Sequence, residues 1–136
     1  MSRHAIRLIV LAFLWISLPA IAAEPAEGPD KAAEKFYAGY VALVEANKDT
    51  KSWIAESKAV TPAFKKAYAK AMSAEFVDTD PVLQAQDIPS MPFKAGKPKI
   101  KDGKATLTLA ADGIKVSVQM ALVEGAWLVD AVRPAN

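Results

Sequence analysis

The chain has 136 residues, 52% of them hydrophobic, with 17 basic and 15 acidic side chains, no cysteine and a single histidine, His4. That composition excludes disulfide support, and it excludes catalytic or zinc sites assembled from Cys and His, which one imidazole near the start cannot supply.

The first predicted element is a targeting segment. Arg3, His4 and Arg7 precede an apolar run from Leu8 to Leu18, Pro19 breaks the run, and Ala20, Ile21, Ala22 and Ala23 follow. Basic, apolar and small residues in that order predict a signal peptide over residues 1–23, cut after Ala22 or Ala23. A membrane-spanning helix would need about 20 apolar residues, and the stretch to Ala23 is shorter and carries a proline. Cleavage removes Arg3 and Arg7 from the 17 basic residues and leaves 15 against 15 acidic ones. The exported form is therefore expected to be neutral, periplasmic or secreted, without a stable membrane anchor. A nucleic-acid partner would select a basic excess that this form lacks. It also has no imidazole for general-base chemistry, and no cofactor or metal is expected.

Residues 24–29 read as a flexible leader, with Pro25, Gly28 and Pro29. The rest, 30–136, is long enough for one core and one domain. Asp30 is a candidate N-cap, and Ala33, Phe36, Tyr37, Tyr40, Val41 and Val44 recur at steps of three and four, predicting a helix over Lys31 to Asn47. A short helix is expected at Ser52 to Ser57 with Trp53 and Ile54, and a third at Thr61 to Ser73, opened by the pair Thr61-Pro62. The stretch Glu75 to Phe93, broken by Pro81, Pro89 and Pro92, reads as loop with one helical turn near Pro81 to Ala85.

After Phe93 the period changes to two. Lys97 to Lys101, Ala105 to Leu109, Ile114 to Leu122 and Trp127 to Val132 alternate apolar with polar residues, separated by Asp102-Gly103, Asp112-Gly113 and Glu124-Gly125. This predicts a four-stranded antiparallel meander with one apolar face. Helices followed by a sheet give an α+β domain of two layers, with the helices packed on a curved sheet.

Three segments carry a family resemblance: Phe36-Tyr37-x-x-Tyr40, Val60-Thr61-Pro62-x-Phe64-x-x-Ala67-Tyr68, and Asp78-x-Asp80-Pro81-Val82-Leu83-x-Ala85-Gln86-Asp87. Through them, residues 32–132 resemble bacterial periplasmic and lipoprotein domains of the YbjP and YqhG type. The order of elements is similar to the cone-like fold of nuclear-transport-factor-2-like, SnoaL-like and cystatin-like domains. The resemblance implies that fold and an exported location, and it carries no established activity. The chain departs from the lipoprotein members in having no cysteine to acylate.

The cone-like fold would place Tyr37, Tyr40, Trp53, Phe64, Tyr68, Met120 and Trp127 between helix and sheet, where they either border a small-molecule pocket or fill a core. Asp78, Asp80, Gln86 and Asp87 form the second candidate site. Hard oxygen donors suit calcium or magnesium, but the spacing lacks the glycine and the closing glutamate of a calcium-binding hand. The competing role is structural, with Asp80 capping the turn at Pro81 and Gln86 and Asp87 holding loop backbone. Asp130, flanked by Val129 and Ala131, must point outward or be paired. Lys97, Lys99 and Lys101, extended by Lys94 and Lys104, read as an anionic docking strip or as edge-strand protection.

The expected function is a non-catalytic exported binding or interaction domain whose partner is an envelope protein or a small ligand. The alternatives are a toxin-neutralising immunity protein and a small carboxylate-based enzyme with a pocket between helix and sheet.

Overall fold

The computed structural model describes residues 27–136; residues 1–23, read as a signal peptide, and most of the stretch read as a leader lie outside the described residues. Helix α1 spans Pro29–Glu45, α2 Thr50–Glu56 and α3 Pro62–Met72. Five strands follow, β1 (Lys94–Ala95), β2 (Lys99–Lys101), β3 (Lys104–Ala111), β4 (Ile114–Val123) and β5 (Ala126–Pro134).

The helix ends follow local chemistry. Gly28, not Asp30, stands at the N-cap of α1, because Pro29 takes the first helical position, where its missing N–H costs nothing. Pro29, read from sequence as leader, is thus buried helix. Asp30 falls in the first turn, where its charge favours the helix dipole without capping. Asp49 caps α2 through Ser52, and Thr61 caps α3 through the Phe64 N–H as the Thr-Pro pair predicts. Among the described residues no helix is long and apolar enough to cross a membrane.

The sheet is an open antiparallel meander, with β3 and β4 inside, β1 and β2 along one edge and β5 along the other. Each hairpin turn has positive φ at both central residues: Asp102 and Gly103, Asp112 and Gly113, Glu124 and Gly125. Two-residue turns of that hand match the twist of the strands they join, and glycine at the second position removes the steric cost. The strand predicted over Lys97 to Lys101 is the shorter β2, and an unpredicted two-residue strand, β1, precedes it, the two lying end to end on β3. Pro98 has no N–H to give the ladder, so pairing stops after Gly96 and resumes at Lys99. In β5, Asp130 is an extra residue between the pairs Gln119–Ala131 and Met120–Val129. This bulge puts both Val129 and Val132 on the inner side, although they are three residues apart.

Ala105, Leu107 and Leu109 of β3, Val116, Val118 and Met120 of β4, and Trp127 and Val129 of β5 form the buried face. Against it lie Ala33, Phe36, Tyr37 and Tyr40 of α1, Ile54 of α2, and Phe64 and Tyr68 of α3. The segment before α3 also closes the β5 edge: Thr61 N–H donates to the Val129 carbonyl at 2.9 Å, and Val129 N–H to Ala59 at 2.8 Å. The result is two layers of α+β structure, helices on a curved sheet.

Leu109 lies in an interior strand and is wholly buried. Replacing it with Ala is expected to cost about 2–5 kcal/mol of unfolding free energy, read as a lower urea midpoint with unchanged slope. A midpoint within error of the parent would contradict the core as described.

Candidate functional site

The three tyrosines of the chain gather at the turn that starts with Asp80, and one of them bonds its carboxylate. Tyr40 of α1 donates to Asp80 Oδ2 at 2.8 Å, and its oxygen lies 2.9 Å from the Tyr68 hydroxyl of α3. The Tyr68 hydroxyl in turn lies 2.8 Å from Thr50 Oγ1 at the start of α2. The other Asp80 oxygen accepts from the backbone N–H groups of Val82 and Leu83, at 2.8 and 3.0 Å. Tyr37 adds a fourth tie, donating to the Val82 carbonyl at 2.8 Å.

These bonds settle a loop onto the helix layer. Val82 and Leu83 are fully buried, so their backbone groups need partners. The single turn predicted at Pro81 to Ala85 is present as a hydrogen-bonded turn. Gln84 N–H returns to the Asp80 carbonyl and Asp80 N–H to that of Ala85, closing the segment into a tight turn with Gln84 at φ 52°. The capping role of Asp80 is as expected, but the roles of Gln86 and Asp87 are not. Both are exposed, and among the described residues neither side chain makes a hydrogen bond. Holding the loop falls instead to Gln84, which donates to the Pro81 carbonyl at 2.7 Å, and to Asp112, which accepts from Ser90 and Met91. Those donors keep the Asp112 carboxyl below its ordinary range, the Ser90 hydroxyl contributing most.

The aromatic candidates fill the space between helices and sheet. Tyr37, Tyr40, Tyr68 and Trp127 are buried, with Phe36 at the centre, edge-on to Tyr37 and Phe64. Trp53 covers the cluster from α2, its ring 5.6 Å from that of Phe36. It comes close because α1 presents Gly39 there; a Cβ at Gly39 would stand 3.2 Å from the indole. No buried side-chain nitrogen or oxygen among the described residues lacks a partner. The clefts are on the surface, among them one of ≈ 450 Å³ between α2 and α3 and one of ≈ 350 Å³ where α3 meets β5.

The carboxylates do not assemble into a metal centre: among the described residues, no three or more His, Cys, Asp or Glu stand close enough to hold an ion. Asp78 is exposed beside Asp80 in sequence but outside its bonding. Asp130 is paired, accepting from Thr61 Oγ1 at 2.7 Å with Lys104 Nζ at 3.9 Å. Asp80 and Asp130 thus serve as acceptors within the fold, while Asp78 and Asp87 stand in water.

What the sequence reading missed is Phe76. It is 80% exposed, and Val77, Ile88 and Met91 of the same connection are exposed too. Glu75 and Asp78 flank the Phe76-Val77 pair. The available signal was an adjacent apolar pair, Phe76-Val77, beyond the end of the predicted third helix and bordered by an acid on each side. The turn pinned by Asp80 therefore carries an apolar tip edged by carboxylates.

No protein-family model and no curated protein sequence matches the chain. Its fold is similar to that of a chain in the crystal structure of the type VI native effector–immunity complex Tae3–Tai3 from Ralstonia pickettii. The likeness has a TM-score of 0.69 at 16% identity and covers 80% of this chain and 96% of the other.

Replacing Asp80 with Ala strips two buried N–H groups and a tyrosine of their acceptor, and is expected to cost about 1–3 kcal/mol in urea unfolding. Asp87→Ala should stay within about 0.5 kcal/mol of the parent; equal losses would contradict the assignment. The tyrosines make a pH prediction as well. Burial, reinforced by the Asp80 charge, raises the hydroxyls of Tyr37 and Tyr40 far above the ordinary phenol range. A pKa raised by folding contributes stability that is full below the unfolded value, about 10, and is lost as pH climbs above it. Tyrosinate absorbance from these two residues should appear together with loss of the circular dichroism signal. Ionisation of both in a still-folded protein would contradict their burial.

Proposed function

We propose that this chain is an exported immunity-type protein that neutralises a partner enzyme by docking onto it. The observation that carries the reading is the likeness of nearly the whole described domain to a chain of an effector–immunity complex. Of the two roles in such a complex, the chemistry of this chain suits the one that does not catalyse. Its interior is filled by packed aromatics, and the carboxylates nearest that interior, Asp80 and Asp130, are engaged by backbone and hydroxyl donors. A protein of this kind needs a rigid surface rather than a cavity, because an ordered surface binds without the entropic cost of arranging itself.

The Phe76 tip supplies the contact. An exposed aromatic next to a second apolar residue offers buried area at low cost in conformational entropy, and flanking carboxylates give orientation. The Asp80 turn starts two residues beyond Asp78, so the tip projects from a fixed base. Export, read from residues 1–23, would place the docking event outside the cytoplasm.

The test is capture on the immobilised protein from envelope and secreted extracts, followed by assay of whatever is retained. The expected result is an enzyme whose activity falls in proportion to added protein, to zero at a fixed ratio. Phe76→Ala should bind about tenfold more weakly with an unchanged melting temperature. Capture of enzymes that keep full activity, or of small molecules alone, would contradict the proposal.

A further inference from the structure

The strand register sorts the side chains facing away from the helices into rows. Lys99, Thr106, Gln119 and Ala131 form one; Lys101, Lys104, Ala121 and Leu128 the next; Thr108, Ser117 and Arg133 another, with Ala110 and Lys115 beyond. The face therefore carries Lys99, Lys101, Lys104, Lys115 and Arg133 around a centre of Thr106, Thr108, Ser117 and Gln119. Among the described residues, Asp130 at the bulge borders it and is already held by Thr61 and Lys104. Asp102 and Glu124 stand in the hairpin turns at one end.

Protection of an open edge explains lysines on β2. It does not explain Lys104 and Lys115, which sit on the interior strands β3 and β4. Nor does solubility, because Lys101 and Lys104 are directly opposed across the ladder, and like charges in that position destabilise a sheet. A chain whose exported form balances 15 basic against 15 acidic residues has gathered one sign here at a cost. The centre is short-chained and polar, with a shallow recess of ≈ 280 Å³ lined by Lys104, Thr106, Gln119 and Asp130 among others.

We propose that this outer sheet face is a second docking surface, separate from the Phe76 tip, and that its occupant is an acidic polypeptide surface. Charge complementarity selects the sign. The hydroxyl and amide centre selects a polypeptide, whose backbone and side chains exchange hydrogen bonds with it, over a bilayer, which basic faces hold by inserting apolar groups.

The probe is poly-L-glutamate, titrated into the ¹⁵N-labelled protein, with phosphatidylglycerol vesicles and a single-stranded oligonucleotide as parallel arms. Saturable shifts centred on Thr106, Thr108, Ser117 and Gln119 are expected. The Lys99→Glu/Lys115→Glu variant should bind about tenfold more weakly, whereas Lys66→Glu/Lys70→Glu on α3 binds as the parent does. If the first variant melts early, Lys115→Gln alone should still weaken binding. Shifts centred on α3, scattered shifts, no binding at physiological salt, or vesicle or oligonucleotide binding without poly-glutamate binding would each overturn the proposal. The map is independent of whether capture through the Phe76 tip yields an enzyme.

Discussion

The carboxylate of Asp80 is the point at which an irregular loop becomes part of a folded core. The connection from α3 to β1 has little regular structure, so its backbone groups must be satisfied by side chains or by water. Asp80 gives one oxygen to the N–H groups of Val82 and Leu83 and the other to Tyr40. Tyr40 links through Tyr68 to Thr50, so the same few bonds join the loop to α1, α2 and α3. Val82 and Leu83 can then be buried without unpaired polar groups, and the residues before the turn have a rigid base.

The proposed function rests on where apolar and charged groups remain at the surface. The tyrosines, Phe36 and Phe64 occupy the space between helices and sheet, and Asp80 and Asp130 beside it serve as acceptors. Two surfaces keep unspent binding capacity: an apolar tip edged by carboxylates on the loop, and a cationic sheet face with a polar centre. Opposite signs on separate surfaces suit a molecule that meets other proteins, in keeping with the role proposed from the effector–immunity likeness.

The helices and the meander were legible in the sequence because their apolar residues repeat at periods of 3.6 and 2, and the turns because glycine follows Asp or Glu at each. The Asp80 cap was legible because a cap is a local event, decided within three residues. Its bond to Tyr40 was not, since the two lie 40 positions apart and meet only through the fold. Gln86 and Asp87 misled because proximity to a loop backbone does not say which side chain turns inward; Gln84 does, at positive φ. The bulge at Asp130 had a visible trace in the spacing of Val129 and Val132, which breaks strict alternation. Phe76 was readable too, as half of an apolar pair bordered by acids beyond the end of the predicted third helix.

The central claim, that the Asp80 bonds fasten this loop to the helix layer, is tested most directly by amide hydrogen exchange. The account predicts that the N–H groups of Val82 and Leu83 exchange slowly, near the rate of global opening, while that of Phe76 exchanges fast. Val82 and Leu83 exchanging as fast as Phe76 in the unaltered protein would contradict it.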